Sequence, residues 1–345
     1  MNQKILEIRQ PDDFHCHLRD NEFLARTVSD TAKQFARAVV MPNLKPPVTT
    51  IQMAKEYQAR ILKNIPDSSN FKALMTLYLT ETMSPDLMAE AKKSDVIIAA
   101  KLYPAGITTN SDSGIVDLKN CYPLFEAMQT NNLPLCIHGE SITKEIDIFD
   151  REKLFLIETL YALLKNFPKL RIVLEHISTK AAVDFVRAAP KNVAATITPH
   201  HLYYNRNDLF HHGIHPHYFC MPILKREQDQ QALIEAAISG DSRFFLGTDS
   251  APHEKNKKEN ECGCAGIYSA HNAIGLYAEL FDQQQALDKL ENFASVFGAE
   301  FYQLPLNQNR ITLTNQMQTV PASLSFGNSV VVPMKAGETI SWQIL

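Results

Sequence analysis

Eight short apolar runs, each ending in polar or charged residues, alternate with longer stretches whose apolar positions recur about every 3.6 residues. The runs are Phe14–His17, Ala38–Asn43, Phe71–Thr80, Val96–Tyr103, Leu133–His138, Arg171–His176, Val193–His200 and Arg243–Asp249. The helical stretches include Thr50–Ile65, Leu118–Gln129, Arg151–Lys165 and Arg226–Ile238. Strands that alternate with helices of this length build βαβ units, because parallel neighbours need a long crossover between them. Eight units in succession predict an α/β fold, a closed (β/α)8 TIM barrel. Beyond about residue 285 the alternation stops, leaving one helix over Ala286–Phe297 and short segments such as Arg310–Thr314 and Ser329–Pro333. No linker or repeat marks off a second core. We therefore expect one domain over 1–345, with the barrel over about 10–285 and a small C-terminal appendage over about 286–345.

Charge narrows the partners. Thirty-four basic against 38 acidic residues leave a net charge of −4, so no broad basic field exists to hold nucleic acid. The first ten residues, MNQKILEIRQ, lack the apolar stretch of a signal peptide, and no run is long enough to span a bilayer. A cytoplasmic protein without a membrane or nucleic-acid partner is expected. Six scattered cysteines in a chain of this length read as reduced thiols, and Cys262-Gly263-Cys264 reads as ordinary loop rather than a C-x-x-C metal or redox site.

His15-Cys16-His17 puts two imidazoles at i and i+2, the spacing that shares one face of a strand. The pair alone is weak evidence, since 12 histidines in this chain give about 0.4 such pairs by chance. His215-Pro216-His217 has the same spacing and is better read as solvated loop. What distinguishes the first pair is its company. Lys101, His138, His176 and Asp249 stand at the ends of four other runs, and polar residues at the carboxyl ends of barrel strands converge on one mouth. A lone strand-end histidine is more often a hydrogen-bonded core residue than a ligand, yet five such accidents on five strands are hard to credit. Four imidazoles and a carboxylate suit Zn²⁺. Lys101 is the odd member, because an ammonium cannot bind a cation and is costly to bury. Desolvation and nearby cations would lower its pKa and let the neutral amine add carbon dioxide as a bridging carbamate. The alternative is an ion pair with a carboxylate such as Asp249.

Beyond these positions, Asp13-Phe14-His15-Cys16-His17-Leu18-Arg19-Asp20, Met41-Pro42-Asn43-Leu44-Lys45-Pro46-Pro47-Val48, Lys101-Leu102-Tyr103-Pro104-Ala105-Gly106, Ile197-Thr198-Pro199-His200-His201-Leu202 and Gly247-Thr248-Asp249-Ser250-Ala251-Pro252-His253 closely resemble the compact bacterial dihydroorotases of the amidohydrolase superfamily. The likeness runs from about residue 4 to Trp342. It implies a homodimer with two Zn²⁺ per subunit, interconverting N-carbamoyl-L-aspartate and (S)-dihydroorotate in de novo pyrimidine synthesis. Carried over by position, the resemblance implies that His15, His17 and Asp249 bind one zinc and His138 and His176 the other, with Lys101 bridging as N6-carboxylysine. It implies substrate contacts from Arg19, which on an extended strand would share the face of His15 and His17, and from Asn43, Met221, His253, Ala265 and Gly266. The chain departs from the family pattern at Phe14, Cys16 and Ile107, none of them an expected ligand. His200 and His201 match the pattern without acquiring a ligand role.

In hydrolysis a zinc-bridging hydroxide would attack the ring amide while Asp249, as general acid and base, carries its proton to the departing nitrogen. The polar, glycine-bounded stretch Gly106–Gly114 reads as a lid whose Thr108 and Thr109 hydroxyls stabilise the oxyanion. Three rivals stand beside this reading: a dihydropyrimidinase or hydantoinase, a non-catalytic homologue acting as an assembly partner, and a metal-free barrel forming a Schiff base at Lys101. A carboxylate clamp separates the first, lost ligands would mark the second, and four histidines around the lysine count against the third.

Overall fold

The computed structural model describes residues 3–261 and 263–345. Eight parallel strands form one sheet in chain order: β2 (Asp12–Cys16), β3 (Arg37–Val40), β4 (Lys72–Tyr78), β5 (Ile97–Leu102), β6 (Leu135–His138), β7 (Ile172–Glu175), β8 (Val193–Ile197) and β9 (Phe244–Leu246). β1 (Ile5–Arg9) lies outside it. The barrel closes where β9 returns to β2. There the Asp249 amide donates to the His15 carbonyl at 2.8 Å and the His17 amide to the Ser250 carbonyl at 3.0 Å, beside a parallel bridge between Cys16 and Ser250. Every strand except β6 ends before its apolar run does, so His17, Asn43, His176 and Asp249 fall past the strand ends.

Two hydrophobic layers explain the near-continuous apolar strands. Ala100, Leu102, Ile137, Leu174 and Phe244 pack outward under the helices. Ala99, Cys136, Val173, Ala194 and Phe245 alternate with them and fill the interior. Lys101, His138 and Glu175 continue that inner parity toward the mouth. Outside, helices form where side-chain caps satisfy their first amides. Thr50 caps Ile51–Leu62 with a 3.1 Å bond to the Met53 amide, and Thr179 caps Lys180–Ala188 through the Ala182 amide. Among the described residues no helix is long and apolar enough to cross a membrane.

The expected helix over Ala286–Phe297 is irregular and runs on to Phe301. A 3₁₀ turn at Leu287–Lys289 and a π turn at Asn292–Val296 lead into a helix at Phe297–Phe301. This segment plugs the barrel floor. The Tyr302 ring stacks on Phe14 at 5.1 Å, and a Cβ on Gly298 would lie 2.2 Å from a Phe14 ring carbon. That approach also accounts for the departure at Phe14, which packs in the floor and takes no part in the mouth. Gly298→Ala is therefore expected to lower stability by about 1–3 kcal/mol, the usual cost of overpacking, read as a fall in the denaturant midpoint. An unchanged midpoint would show that the floor yields freely. The remaining appendage is held at long range: β1 pairs antiparallel with β10 (Arg310–Thr314), which also pairs with Gln343–Ile344.

Candidate metal centre and substrate pocket

The seam that closes the barrel gathers one donor set. His15 and His17 Nε2 lie 3.3 Å apart, and Asp249 Oδ1 lies 3.2 Å from the first and 3.1 Å from the second. A four-coordinate zinc with nitrogen and oxygen ligands at about 2.0–2.1 Å spaces neighbouring donors by about 3.3 Å, so this triangle fits the ion. Burial drives the His15 pKa down to about 3, helped by the Lys101 charge, and burial also lowers that of His17. Both rings therefore keep lone pairs at neutral pH. Asp249 feels the opposite pull of burial, but His15 and His17, through charge and hydrogen bonds, hold its carboxyl well below the usual range. Beneath it, the Asp13 carboxylate accepts bonds from the Thr248 amide at 2.8 Å and hydroxyl at 2.6 Å, bracing the turn that carries Asp249.

The second donor set sits alongside. His138 Nε2 bonds Glu140 Oε2 at 2.7 Å, which leaves Nδ1 as the nitrogen available to a cation. The His176 ring lies 4.7 Å from His138 and 4.9 Å from His15. Its backbone departs from strand geometry with φ +43°, as does that of Asp249 with φ +43°. Non-glycine residues held in the left-handed region store strain, and such strain collects at functional sites. For His176 the consequence is concrete. Strand parity places Glu175 inward, and the left-handed backbone of His176 lets its own ring face the same mouth.

Lys101 is fully buried between the sets. Its Nζ donates to Glu175 Oε2 at 2.9 Å and lies 4.9 Å from the Tyr103 ring centre, while the same Glu175 oxygen contacts His15 Nδ1. The carboxylate beside the lysine is thus Glu175 and not Asp249. Burial lowers the lysine's pKa to about 7, so much of it is a neutral amine under physiological conditions. Glu175, Asp13 and Glu140 were not singled out from the sequence. Glu175 had a readable signal, since it shares parity with Val173 and stands next to His176.

Over these donors lies a pocket walled by His17, Arg19, Asn43, Tyr103, Thr108, Thr109, His138, His176, Met221, Asp249, Ala251, Ala265 and Gly266. Arg19 does not arrive there by strand alternation. Its φ of +60° puts it in a turn, where Nε donates to the Pro252 carbonyl at 2.9 Å and Nη2 approaches His253 Nε2 at 3.0 Å. His253 Nε2 also lies 3.0 Å from the Ala265 carbonyl, and a neutral ring nitrogen serves only one of these two partners. Asn43 braces the mouth: its Oδ1 meets His17 Nδ1 at 2.9 Å and its Nδ2 donates to the Thr109 carbonyl at 2.9 Å. The Thr109 hydroxyl reaches the Ala265 carbonyl at 3.3 Å, so the 106–114 segment lies across the opening. His201 spends both ring nitrogens, on the Thr198 hydroxyl and the Pro222 carbonyl, and His200 is buried behind the pocket with neither nitrogen bonded. Cys264 is a free, partly exposed thiol, and Cys262 lies outside the described residues.

Known proteins share the sequence and fold of this chain over nearly its whole length. The model of the amidohydrolase family matches residues 13–313. A dihydroorotase of Coxiella burnetii is 60% identical over 342 residues, 99% of this chain and 98% of that protein. The chain belongs to the amidohydrolase family, among its dihydroorotases. A dihydroorotase of Picosynechococcus is 55% identical to this amidohydrolase, with 98% of each chain covered. The crystal structure of the Campylobacter jejuni dihydroorotase superposes with a TM-score of 0.91 at 38% identity, covering 100% of this chain and 98% of that one. That of the Saccharomyces cerevisiae enzyme, in complex with 5-fluoroorotic acid, gives 0.90 at 36%, covering 99% and 98%. An L-hydantoinase of Arthrobacter aurescens reaches 0.81 at only 14% identity, covering 98% of this chain and 82% of its own, and shares the fold alone. The amidohydrolase described here is a cyclic-amide hydrolase of the dihydroorotase kind, not of the hydantoinase kind.

Proposed function

We propose that this mouth carries out the reversible cyclisation of N-carbamoyl-L-aspartate to (S)-dihydroorotate and water with two Zn²⁺ per chain. His15, His17 and Asp249 would hold one ion, His138 and His176 the other, with Lys101 as a bridging N6-carboxylysine. The observation that carries this reading is the triangle of two Nε2 atoms and one carboxylate oxygen, 3.1–3.3 Å on a side, beside a buried lysine and an arginine at the same opening. Two cations so placed supply carbonyl polarisation and the acidification of water toward a pKa of about 7.

The chain's own groups do the rest. In hydrolysis Asp249 accepts the proton released as water attacks the ring amide carbon, and returns it to the ring nitrogen as the carbon–nitrogen bond breaks. In cyclisation it takes the proton from the attacking carbamoyl nitrogen and passes it to the departing oxygen. Arg19, with part of its guanidinium left over from Pro252 and His253, presents donors to the substrate carboxylate. Asn43, His253, Ala265, Gly266 and the Met221 backbone complete the clamp. The hydroxyls of Thr108 and, once it leaves the Ala265 carbonyl, of Thr109 would face the developing oxyanion, and the segment keeps bulk water out. We further propose that the enzyme is a cytoplasmic homodimer in de novo pyrimidine synthesis.

Substrate discrimination tests the clamp. Dihydrouracil offers the same ring amide without the carboxylate, so the guanidinium donors of the half-buried Arg19 not held by Pro252 and His253 would lose their anionic partner. The kcat/KM for dihydroorotate is therefore expected to exceed that for dihydrouracil by more than about 10³-fold. Arg19→Met should lose nearly all turnover of dihydroorotate while keeping its metal. Comparable kcat/KM for the two substrates in the unmodified enzyme would move the protein to the dihydropyrimidinase reading.

A further inference from the structure

Lys258 has no place in the roles set out above, yet it is only 4% exposed. Its Nζ donates to three backbone carbonyls, those of Phe219 at 3.0 Å, Cys264 at 2.9 Å and Gly266 at 2.6 Å. Among the described residues no carboxylate lies within ion-pairing distance of it. An ammonium has three N–H donors, and here each meets one carbonyl. A buried cation held by carbonyl dipoles alone is a costly arrangement, which makes its location informative.

The three acceptors come from two segments that flank the substrate cavity. Phe219 lies two residues before Met221, in the connection after β8, whereas Cys264 and Gly266 bracket Ala265 in the connection after β9. Met221, Ala265 and Gly266 all wall the cavity. The Gly266 amide donates to the same Phe219 carbonyl at 3.0 Å, so the lysine sits at the point where the two segments are tied. The Ala265 carbonyl between its two acceptors is the one that meets His253 and the Thr109 hydroxyl of the covering segment. Gly266 itself leaves little slack. Its φ is +148°, and a Cβ there would lie 2.3 Å from the Ala251 carbonyl oxygen.

We infer that Lys258 is a positioning residue for substrate recognition: its ammonium knots the 219–221 and 264–266 segments into one rigid wall and so sets where the substrate-facing backbone stands relative to the metal donors. Burial brings its pKa down to about 8, with the Cys220 and Cys264 thiols opposing that shift and the Arg19 charge adding to it, and the group is still largely ammonium at neutral pH. No other side chain reproduces this contact. Methionine matches the stem but leaves three buried carbonyls without donors, and the flat guanidinium of arginine cannot direct donors at three acceptors gathered around one point.

The inference rests on the dihydroorotase reading, and the experiment separates the two. Dihydroorotate hydrolysis is measured for the unmodified enzyme, Lys258→Met and Lys258→Arg, together with zinc content and thermal unfolding. Lys258→Met should raise KM by about tenfold to 100-fold, the scale of a misplaced binding group, with kcat kept within about threefold and zinc unchanged. Lys258→Arg should fall between the two. A KM equal to that of the unmodified enzyme, or a loss confined to kcat, overturns the inference. So does loss of zinc or of a cooperative melt in both variants, which would make the lysine a requirement of the fold itself. Failure of the unmodified, zinc-loaded enzyme to turn over dihydroorotate would instead overturn the substrate reading.

Discussion

Replacing Lys101 by alanine is expected to abolish turnover, with a fall of at least about 10³-fold, the upper end of what loss of one electrostatic group costs. Zinc content is expected to drop with it. Lys101 has the inner parity of Ala99, is fully buried and lies between the two histidine sets, so no surface side chain can take its place. Its lowered pKa, about 7, leaves the amine free to add carbon dioxide, and the resulting carbamate would present one oxygen to each cation. Alanine removes that shared anion and leaves Glu175 buried beside His15 without the lysine. Short carboxylic acids small enough for the vacated space should restore part of the activity. Elemental analysis and steady-state rates check both effects. An unmodified amine at residue 101 in crystals of active, zinc-loaded enzyme would defeat the carbamate role.

Asp249→Asn should lower turnover by about 10²–10⁴-fold in both directions, the range typical of a general acid and base. The amide retains an oxygen that can face His15 and His17, so the metal is expected to stay largely bound. What it cannot do is accept a proton on one face of the reaction and return it on the other. The comparison of rates with zinc content separates the two roles. A variant that turns over within a factor of a few of the parent would reduce Asp249 to a ligand.

Much of this architecture was legible because it is local. Inward and outward strand residues differ by one position, and the eight apolar runs with 3.6-residue stretches between them carry that information in every short window. The same locality made His15, His17, Lys101, His138, His176 and Asp249 visible as polar ends of apolar runs. Local periodicity also misled where the backbone leaves regular geometry. Arg19 reaches the mouth through a left-handed turn rather than along a strand face, and the helix expected at Ala286–Phe297 changes from 3₁₀ to π to α geometry as it packs under Phe14.

The sequence by itself therefore determined the strand and helix order, the barrel class and the residue types able to hold metal at the strand ends. Only the tertiary structure decided which groups touch. The seam between β2 and the residues just after β9 spans almost the whole barrel sequence, and it is this seam that sets His15, His17 and Asp249 within 3.1–3.3 Å of one another. The same holds for Glu175 under Lys101, for β1 in the C-terminal sheet, and for Lys258 between two loops. The physical reason is that patterning reports only which side of an element is buried, whereas contact between residues distant in sequence depends on how the closed barrel brings its separate connections to a common mouth.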